Sequence, residues 1–338
     1  MHPTEAFQKY SLMCREKLGN KSSRQFLRLG KMLLRAPFSS CRQGILKTMV
    51  GLTYDCQCNC AYCCAGLYPK NKENELSVLE IKALIKDISR LPSLCTLISF
   101  FGGEALLKES IFELIKYACQ EGLFTETETN GILLSSGNVR KLKQAGLHHI
   151  FIRIESTDQL LHDAISGFKG CWQSALEGIK CCVSEKLSCS ISTIAFKDKI
   201  YNGQLERIIE MAKRLGASSV RIIYPTPAGK LTQANQQMLG ELDKQAVRRL
   251  LRPDFVYLES TQVCTKQGQR ICPAQQKKMF YISCYGEVQP CPFVPLDFGN
   301  IRQEKINGIL SRMHQEVIFN GPDHGDCLMS SRGLEARE

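Results

Sequence analysis

From residue 48 onward, short apolar runs alternate with segments whose apolar positions recur every three to four residues. The apolar runs predict six strands, which read TMVGLTY, LCTLISF, LFTETETN, HIFIRIE, SCSISTIAF and SVRIIYP. Helical spacing occurs in SVLEIKALIKDISRL, ESIFELIKYACQE, SGNVRKLKQA, CWQSALEGIKCCVSE, QLERIIEMAKRL and roughly 238–252. Six β-then-α units in a row predict an α/β fold, with a parallel sheet and helices outside it. A partial, open (β/α)6 barrel and a doubly wound sheet both fit, and in either one ligands bind at the carboxyl ends of the strands.

Local signals add detail to this pattern. Ser77 and Glu80 have the spacing of a capping box at the start of the first predicted helix. After about residue 255 the pattern changes, because Cys, Pro and Gly are frequent and only short strand-like pieces such as MFYIS and EVQPC remain. We therefore expect a barrel at 48–252 and a small Cys-rich domain at 253–338 that a metal helps to stabilise.

Composition limits the cellular setting. The 338-residue chain has no run of eighteen apolar residues, so no transmembrane span is expected. Its first residues lack the apolar segment and the cleavage site of a secretory signal. We therefore expect a cytoplasmic protein, in which the 18 cysteines favour metal or redox sites over structural disulfides.

Residues 1–47 form a basic N-terminal arm that supplies +8 of the net charge of +11. Since the rest of the chain is nearly neutral, no specific nucleic-acid-binding surface is expected. The arm contains a predicted amphipathic helix with a basic face and an apolar face. The basic residues are Arg24, Arg28, Lys31 and Arg35, and the apolar ones are Phe26, Leu29 and Leu33. This helix either packs on the body with a solvated basic face, or docks a peptide, an acidic partner or an anionic membrane surface.

The stretch YDCQCNCAYCC follows the first predicted strand and contains five cysteines. Among them, only Cys56, Cys60 and Cys63 give a C-x3-C-x2-C spacing. Three thiolates on one tight loop can bind three irons of a cubane cluster and leave the fourth iron open to a ligand. Zinc fits less well, because it usually takes four protein ligands and the chain has no second C-x2-C pair. A thioredoxin-like pair would have few neighbouring thiols, and the compartment disfavours a disulfide.

This triad, with Tyr62 directly before its third cysteine, resembles the cluster-binding motif of the radical SAM superfamily. The resemblance implies a [4Fe–4S] cluster whose open iron binds S-adenosyl-L-methionine (SAM). It also implies reductive cleavage of SAM to a 5′-deoxyadenosyl radical, which abstracts hydrogen from the substrate. The electron is expected from a donor of the flavodoxin or ferredoxin type.

Further motifs occur in the order expected for this family. Gly102-Gly103-Glu104, at the end of the second predicted strand, resembles the GGE motif, which implies contact with the methionine amino group of SAM. Paired glycines also let the main chain approach a ligand closely. Asn130 lies in a turn after the third strand that resembles the TNG turn of the family.

The fourth strand departs from the family pattern. Its sequence I-R-I-E-S places Arg153 where the family often has a serine that contacts the SAM ribose. Arg153 is therefore a candidate partner of the SAM carboxylate, alone or together with Glu155. By position alone, Thr193 on the fifth strand and Tyr224 after the sixth are candidates for ribose and adenine contacts.

The C-terminal cysteines resemble an auxiliary-cluster domain. Cys272-x13-Gly286-x4-Cys291 is similar to the opening of the SPASM/twitch extension, and Cys264 precedes it as an early ligand does in that family. Only Cys327 follows Cys291, which implies one auxiliary [4Fe–4S] cluster rather than two. The expected ligands are Cys264, Cys272, Cys291 and Cys327.

Cys58, Cys64, Cys171 and Cys284 fall outside these spacings and receive no ligand role. Together the motifs predict a radical SAM enzyme, either a peptide-modifying maturase or a small-molecule dehydrogenase or rearrangement enzyme. No catalytic residue is assigned, and the sequence does not identify the substrate. An arm of 47 residues is shorter than the leader-peptide domain usual in peptide maturases, which weakens that option. The alternative is a non-catalytic Fe–S or zinc-binding regulatory protein on a barrel scaffold.

Overall fold

The computed structural model describes residues 47–66, 68–91, 97–252, 254–259, 263–264, 270–319 and 327–330. The predicted basic arm lies outside the described residues, apart from Lys47 at its end. Within the described ranges, no helix combines the length and the apolar character that crossing a membrane requires.

Eleven strands are present in the described residues. They are β1 (Lys47–Gly51), β2 (Leu97–Phe101), β3 (Phe124–Thr129), β4 (His149–Arg153), β5 (Cys189–Ile194), β6 (Ser219–Ile223), β7 (Val256–Leu258), β8 (Val263–Cys264), β9 (Arg270–Ile271), β10 (Met279–Ile282) and β11 (Val288–Gln289).

Nine α-helices accompany them in the same part of the chain. They are α1 (Val78–Arg90), α2 (Ile111–Gln120), α3 (Ser136–Ala145), α4 (Gln159–Ser166), α5 (Cys171–Ser184), α6 (Lys197–Tyr201), α7 (Gln204–Leu215), α8 (Glu241–Leu250) and α9 (Ile306–Met313).

Nine strands form one sheet in the order β11-β10-β1-β2-β3-β4-β5-β6-β7. All neighbours from β1 to β7 are parallel, as are β1 and β10, whereas β11 is antiparallel to β10. The predicted series of six parallel strands is confirmed. Strands β8 and β9 form a separate antiparallel pair.

The sheet continues on both sides of the six predicted strands. β7 follows β6 at one end, and β10 lies beside β1 at the other. Both strands come from the segment expected to form a separate domain. Strands from both sides of residue 252 therefore share one sheet. The division of the chain into two domains at this residue stays a prediction.

The helix boundaries follow the local signals. The Ser77 hydroxyl accepts from the Glu80 amide at 3.3 Å, and the Glu80 carboxylate accepts from the Ser77 amide at 2.7 Å, so the predicted capping box is confirmed. Three short helices, α4, α6 and α9, are present where the pattern predicted none. The first two follow β4 and β5 and therefore lie at the carboxyl end of the sheet, where ligands bind in such folds.

The two faces of the sheet differ in chemistry. The helices bury their apolar sides against the outer face, where Ile85, Ile115 and Ile179 are fully buried. On β3, threonines alternate with glutamates: the Thr125 hydroxyl donates to the Gly146 carbonyl in the helical layer. The glutamates point to the inner face, which encloses a cavity.

Candidate active site

The inner face of the sheet surrounds a cavity of about 320 Å³. Side chains from six strands line it: Met49, Phe101, Glu128, Phe151, Arg153, Ser192, Ile194, Arg221 and Ile223. Because these strands span most of the sheet, their convergence on one cavity means that the sheet curls into a partial barrel. The same cavity reaches both groups of predicted cluster cysteines.

The triad lies on a loop between β1 and α1, and Cys56, Cys60 and Cys63 all line the cavity. The end of α4 holds this loop, because the Asn59 and Ala61 amides donate to carbonyls of α4 at 2.9 and 3.0 Å. The pKa of Cys56 is lowered to about 6, chiefly by a hydrogen bond from the Cys58 thiol. A thiol that ionises readily suits iron ligation, since the thiolate is the ligand form.

The remaining thiols of this region lie close to the triad. Cys58 and Cys64, to which the sequence assigned no role, also line the cavity. The Cys58 sulfur is 3.9 Å from the sulfur of Cys171, the buried first residue of α5. No three Cys, His, Asp or Glu side chains among the described residues are arranged to hold a single metal ion. The triad fits an iron–sulfur cluster because its three thiols are the usual ligands of iron and because all three line the cavity.

The glycine pair brings the end of β2 against the triad loop. A Cβ at Gly102 would lie 2.2 Å from the Thr53 carbonyl oxygen, and one at Gly103 would lie 2.3 Å from that of Asp55. Gly102 also has φ of 139°, which favours glycine. Both glycines line the cavity, so their main chain is accessible to a ligand.

Glu104 is buried and organises the turn after β3. Its carboxylate accepts from the Thr129 hydroxyl at 2.9 Å and from the Leu106 and Asn130 amides at 3.1 and 2.9 Å. Burial raises the pKa of Glu104 to about 7. Asn130 in turn donates to Gln57 of the triad loop at 3.1 Å, and it lines the cavity, whereas Glu104 does not. The described contacts of Glu104 fix the turn after β3. Its contact with the ammonium group of a ligand stays a prediction.

Arg153 lies at the cavity wall between two carboxylates and an aromatic ring. Its Nη2 is 3.7 Å from Glu128 Oε2, and its Nη1 is 3.6 Å from Glu155 Oε1. Its guanidinium carbon is 5.6 Å from the centroid of the Tyr62 ring. Within the described residues, Arg153 Nη1, Glu155 Oε1 and Tyr62 Oη are buried without a hydrogen-bond partner. Since buried polar atoms are nearly always hydrogen bonded, a bound polar group fits between them.

The two weaker candidates occupy different places. Thr193 is fully buried, donates to Glu155 at 3.2 Å and is not part of the cavity wall. Tyr224 lines the cavity, and its hydroxyl donates to the Lys244 carbonyl at 3.4 Å. The structure therefore brings Tyr224 to the cavity. Thr193 contacts Glu155, which in turn faces Arg153 of the cavity wall.

The auxiliary cysteines Cys272, Cys291 and Cys327 line the same cavity as the triad. Burial raises the pKa of Cys291, and the neighbouring thiols of Cys272 and Cys327 raise it further, so these three groups lie close together. Cys264 lies in β8, where its Cα pairs with that of Arg270, two residues before Cys272. Cys284 is buried and does not itself line the cavity, but it packs with Tyr54 and Ala65, which do; its exclusion from the ligand set stays a prediction.

The sequence did not reveal the charged network on the inner face of the sheet. Lys47 pairs with Glu126 at 2.8 Å, and Arg221 pairs with Glu128 and Glu259, each at 2.7 Å. The signal that could have indicated it is the run TETET of β3, because charges at alternate positions of a buried strand must meet partners across the interior.

Comparisons with known proteins agree with this geometry. The family model of the radical SAM superfamily matches residues 50–212, and that of the SPASM iron–sulfur cluster-binding domain matches residues 272–328. An AdoMet-dependent heme synthase of Oleidesulfovibrio alaskensis is 24% identical over 303 residues, which cover 81% of this chain and 76% of the relative. A PqqA peptide cyclase of Rhodopseudomonas palustris is 26% identical over 273 residues, with coverages of 76% and 71%.

Solved structures show the same fold. Streptococcus suis SuiB bound to the precursor peptide SuiA superposes with a TM-score of 0.65 at 14% identity, covering 87% of this chain and 69% of that one. The enzyme anSMEcpe with bound AdoMet gives a TM-score of 0.60 at 14% identity, with coverages of 81% and 82%. The expected α/β partial barrel is thus confirmed. Residues 50–212 thus match a radical SAM domain, and residues 272–328 match a C-terminal SPASM domain.

Proposed function

We propose that Cys56, Cys60 and Cys63 bind the catalytic [4Fe–4S] cluster, and that the cavity they line receives SAM and the reacting part of the substrate. The bound cluster and SAM together supply the 5′-deoxyadenosyl radical that abstracts hydrogen. The observation that carries this proposal is the single cavity shared by the triad, the glycine pair and Arg153.

The residues around the cavity fit SAM in chemical terms. The main chain at Gly102 and Gly103 is accessible for the amino group, and Asn130 lies beside them. The Arg153 side chain lines the cavity and is 24% exposed, and its guanidinium has no bidentate partner, which suits the carboxylate of SAM. Tyr224 is the proposed adenine contact. Glu104, Glu155 and Thr193 do not line the cavity and support this set from behind, since Glu104 fixes Asn130 and Thr193 fixes Glu155.

We also propose one auxiliary [4Fe–4S] cluster with Cys264, Cys272, Cys291 and Cys327 as its ligands. Three of these thiols line the cavity, and the pairing of β8 with β9 brings the main chain of Cys264 towards Cys272. The substrate in the shared cavity would then lie near both clusters.

The proposed substrate is a peptide or a small molecule. The names of the relatives cover both classes, and the cavity wall is mainly apolar with charged groups on its inner side, which suits an amphipathic group. A flavodoxin or ferredoxin is the proposed electron donor, and the basic arm is its proposed docking segment. We propose the cytoplasm as the location.

Anaerobic reconstitution tests this function. The full-length protein is loaded with iron and sulfide, incubated with SAM and dithionite, and assayed for 5′-deoxyadenosine by mass spectrometry. We expect 5′-deoxyadenosine from the wild type and from Cys181→Ala, whose thiol lies on α5 and does not line the cavity, and none from Cys60→Ala. A fully loaded wild type that forms no 5′-deoxyadenosine would favour the non-catalytic Fe–S protein instead.

A further inference from the structure

Lys199 is a buried lysine beside the candidate SAM site. It lies on α6, after the carboxyl end of β5, and its side chain is only 3% exposed. A buried ammonium group is costly unless it is paired and hydrogen bonded. Its Nζ donates to Glu155 Oε2 at 2.6 Å and to Thr193 Oγ1 at 2.7 Å. The carboxylate that pairs with Lys199 is therefore the one that faces Arg153.

The two oxygens of Glu155 face different cations. Oε2 accepts from Lys199, from the Thr193 hydroxyl at 3.2 Å and from the Ile194 amide at 3.1 Å. Oε1 lies 3.6 Å from Arg153 Nη1, and among the described residues neither atom has a hydrogen bond. The contact between Glu155 and Arg153 is therefore incomplete. Nη1 is buried with a hydrogen that no acceptor takes, whereas the side chain as a whole is 24% exposed and lines the cavity.

Neither carboxylate next to Arg153 forms a close pair with it. Arg153 and Lys199 flank the single carboxylate of Glu155. Glu128 lies 3.7 Å from Arg153, but its two oxygens accept from Arg221 at 3.0 and 2.7 Å. The planar guanidinium of Arg153 therefore lacks a bidentate partner, and a ligand carboxylate matches its geometry best.

We propose that Lys199 is a positioning residue for SAM: it holds Glu155 back from Arg153, so that the guanidinium remains available to the SAM carboxylate. This inference rests on the proposed role of Arg153. Without the ammonium group of Lys199, Glu155 can turn both oxygens to Arg153 and form the bidentate pair that a guanidinium favours. The carboxylate of SAM then competes with a tethered carboxylate that is present at high effective concentration.

The test compares two ligands on one variant. Full-length, anaerobically reconstituted Lys199→Met is titrated by equilibrium dialysis with SAM and with decarboxylated SAM, which lacks only the carboxylate. We expect the Kd for SAM to rise roughly tenfold, the size of one hydrogen bond to a charged group. The Kd for decarboxylated SAM should change less than about twofold, because that ligand does not use Arg153. Lys197→Met, on the same helix, is the matched control and should leave both values unchanged.

A double variant separates positioning from a general structural role. Lys199→Met combined with Glu155→Gln removes the competing carboxylate and also the unpaired buried charge, so it should fold even if the single variant does not. Its Kd for SAM should return to within about threefold of the wild-type value. The inference is wrong if Lys199→Met binds SAM normally, if both ligands weaken equally, or if the double variant binds SAM as weakly as the single one. Failure of the proposed function differs from these results, because the wild-type holoenzyme would then bind neither ligand.

Discussion

Arg221 on β6 pairs with Glu128 on β3 at 2.7 Å, although β4 and β5 lie between these strands in the sheet. The contact crosses the interior of the partial barrel. Arg221 also pairs with Glu259 at 2.7 Å, and its guanidinium carbon lies 3.8 Å from the centroid of the Phe151 ring. One buried guanidinium thus connects elements that are distant along the chain.

Replacing Arg221 by methionine should destabilise the fold. The change leaves the carboxylates of Glu128 and Glu259 buried without the cation that they share. Removing one partner of a buried ion pair typically costs about 3–5 kcal/mol of folding free energy. Guanidinium unfolding of the apoprotein measures this loss. Arg140→Met is the matched control: Arg140 pairs with Glu185 at 2.8 Å but its side chain is 59% exposed, so the loss should stay below about 1 kcal/mol. Equal losses in the two variants would contradict the prediction.

The same substitution should change the response to acid. Burial acts to raise the pKa of Glu128, but the charges of Arg221 and Arg153 outweigh it, so the pKa lies below its usual value of 4.5. A carboxyl group with a lowered folded pKa contributes stability above its unfolded pKa and loses it as the pH falls through the folded value. In Arg221→Met the pKa of Glu128 rises, so acid unfolding, followed by circular dichroism, should begin at a higher pH than in the wild type. Superimposable acid-unfolding curves would refute this account.

Alanine at Gly102 should disrupt the contact between β2 and the triad loop. Its Cβ would lie 2.2 Å from the Thr53 carbonyl oxygen, so the strand end or the loop has to move. We expect a loss of about 2 kcal/mol or more, together with poor cluster retention in iron analysis. Gly137→Ala is the control, because the nearest atom there is 3.8 Å away and alanine favours a helix by about 0.5–1 kcal/mol. Full iron content in Gly102→Ala would show that the close approach is not needed.

Iron content tests the auxiliary site. Two four-iron clusters predict about eight irons per chain in the wild type and about four in Cys291→Ala. Cys284→Ala is a matched control, since Cys284 is equally buried but does not line the cavity. About four irons in the wild type, or an equal loss in both variants, would remove the auxiliary cluster from the proposal.

Reversing the charge of Arg24, Arg28, Lys31 and Arg35 to glutamate tests the proposed role of the arm. If the arm recruits an acidic electron donor, 5′-deoxyadenosine formation supported by flavodoxin should fall about tenfold at low salt. Formation supported by dithionite should not change, because dithionite needs no docking surface. If the rate of 5′-deoxyadenosine formation with flavodoxin does not change, the arm does not recruit this donor.

Several features of the site could be predicted from short stretches of sequence. The spacing of Cys56, Cys60 and Cys63 places three thiols on one short loop, so they are near one another in any fold of the rest of the chain. Gly102 and Gly103 are similar, because only residues without a Cβ allow the close approach seen there. The capping box at Ser77 and the six β-then-α units are equally local in origin.

Other features depended on contacts between residues far apart in the chain. The sequence by itself determined the cluster motif, the succession of the main strands along the chain and the resemblance to the family. Only the tertiary structure placed β10 beside β1, brought Cys272, Cys291 and Cys327 to the cavity of the triad, and set Lys199 against Glu155. Periodicity shows which face of a strand or helix is buried, but it does not show which buried group lies opposite a given side chain. The pairing of buried groups follows from the curl of the sheet and from the need of every buried charge for a partner.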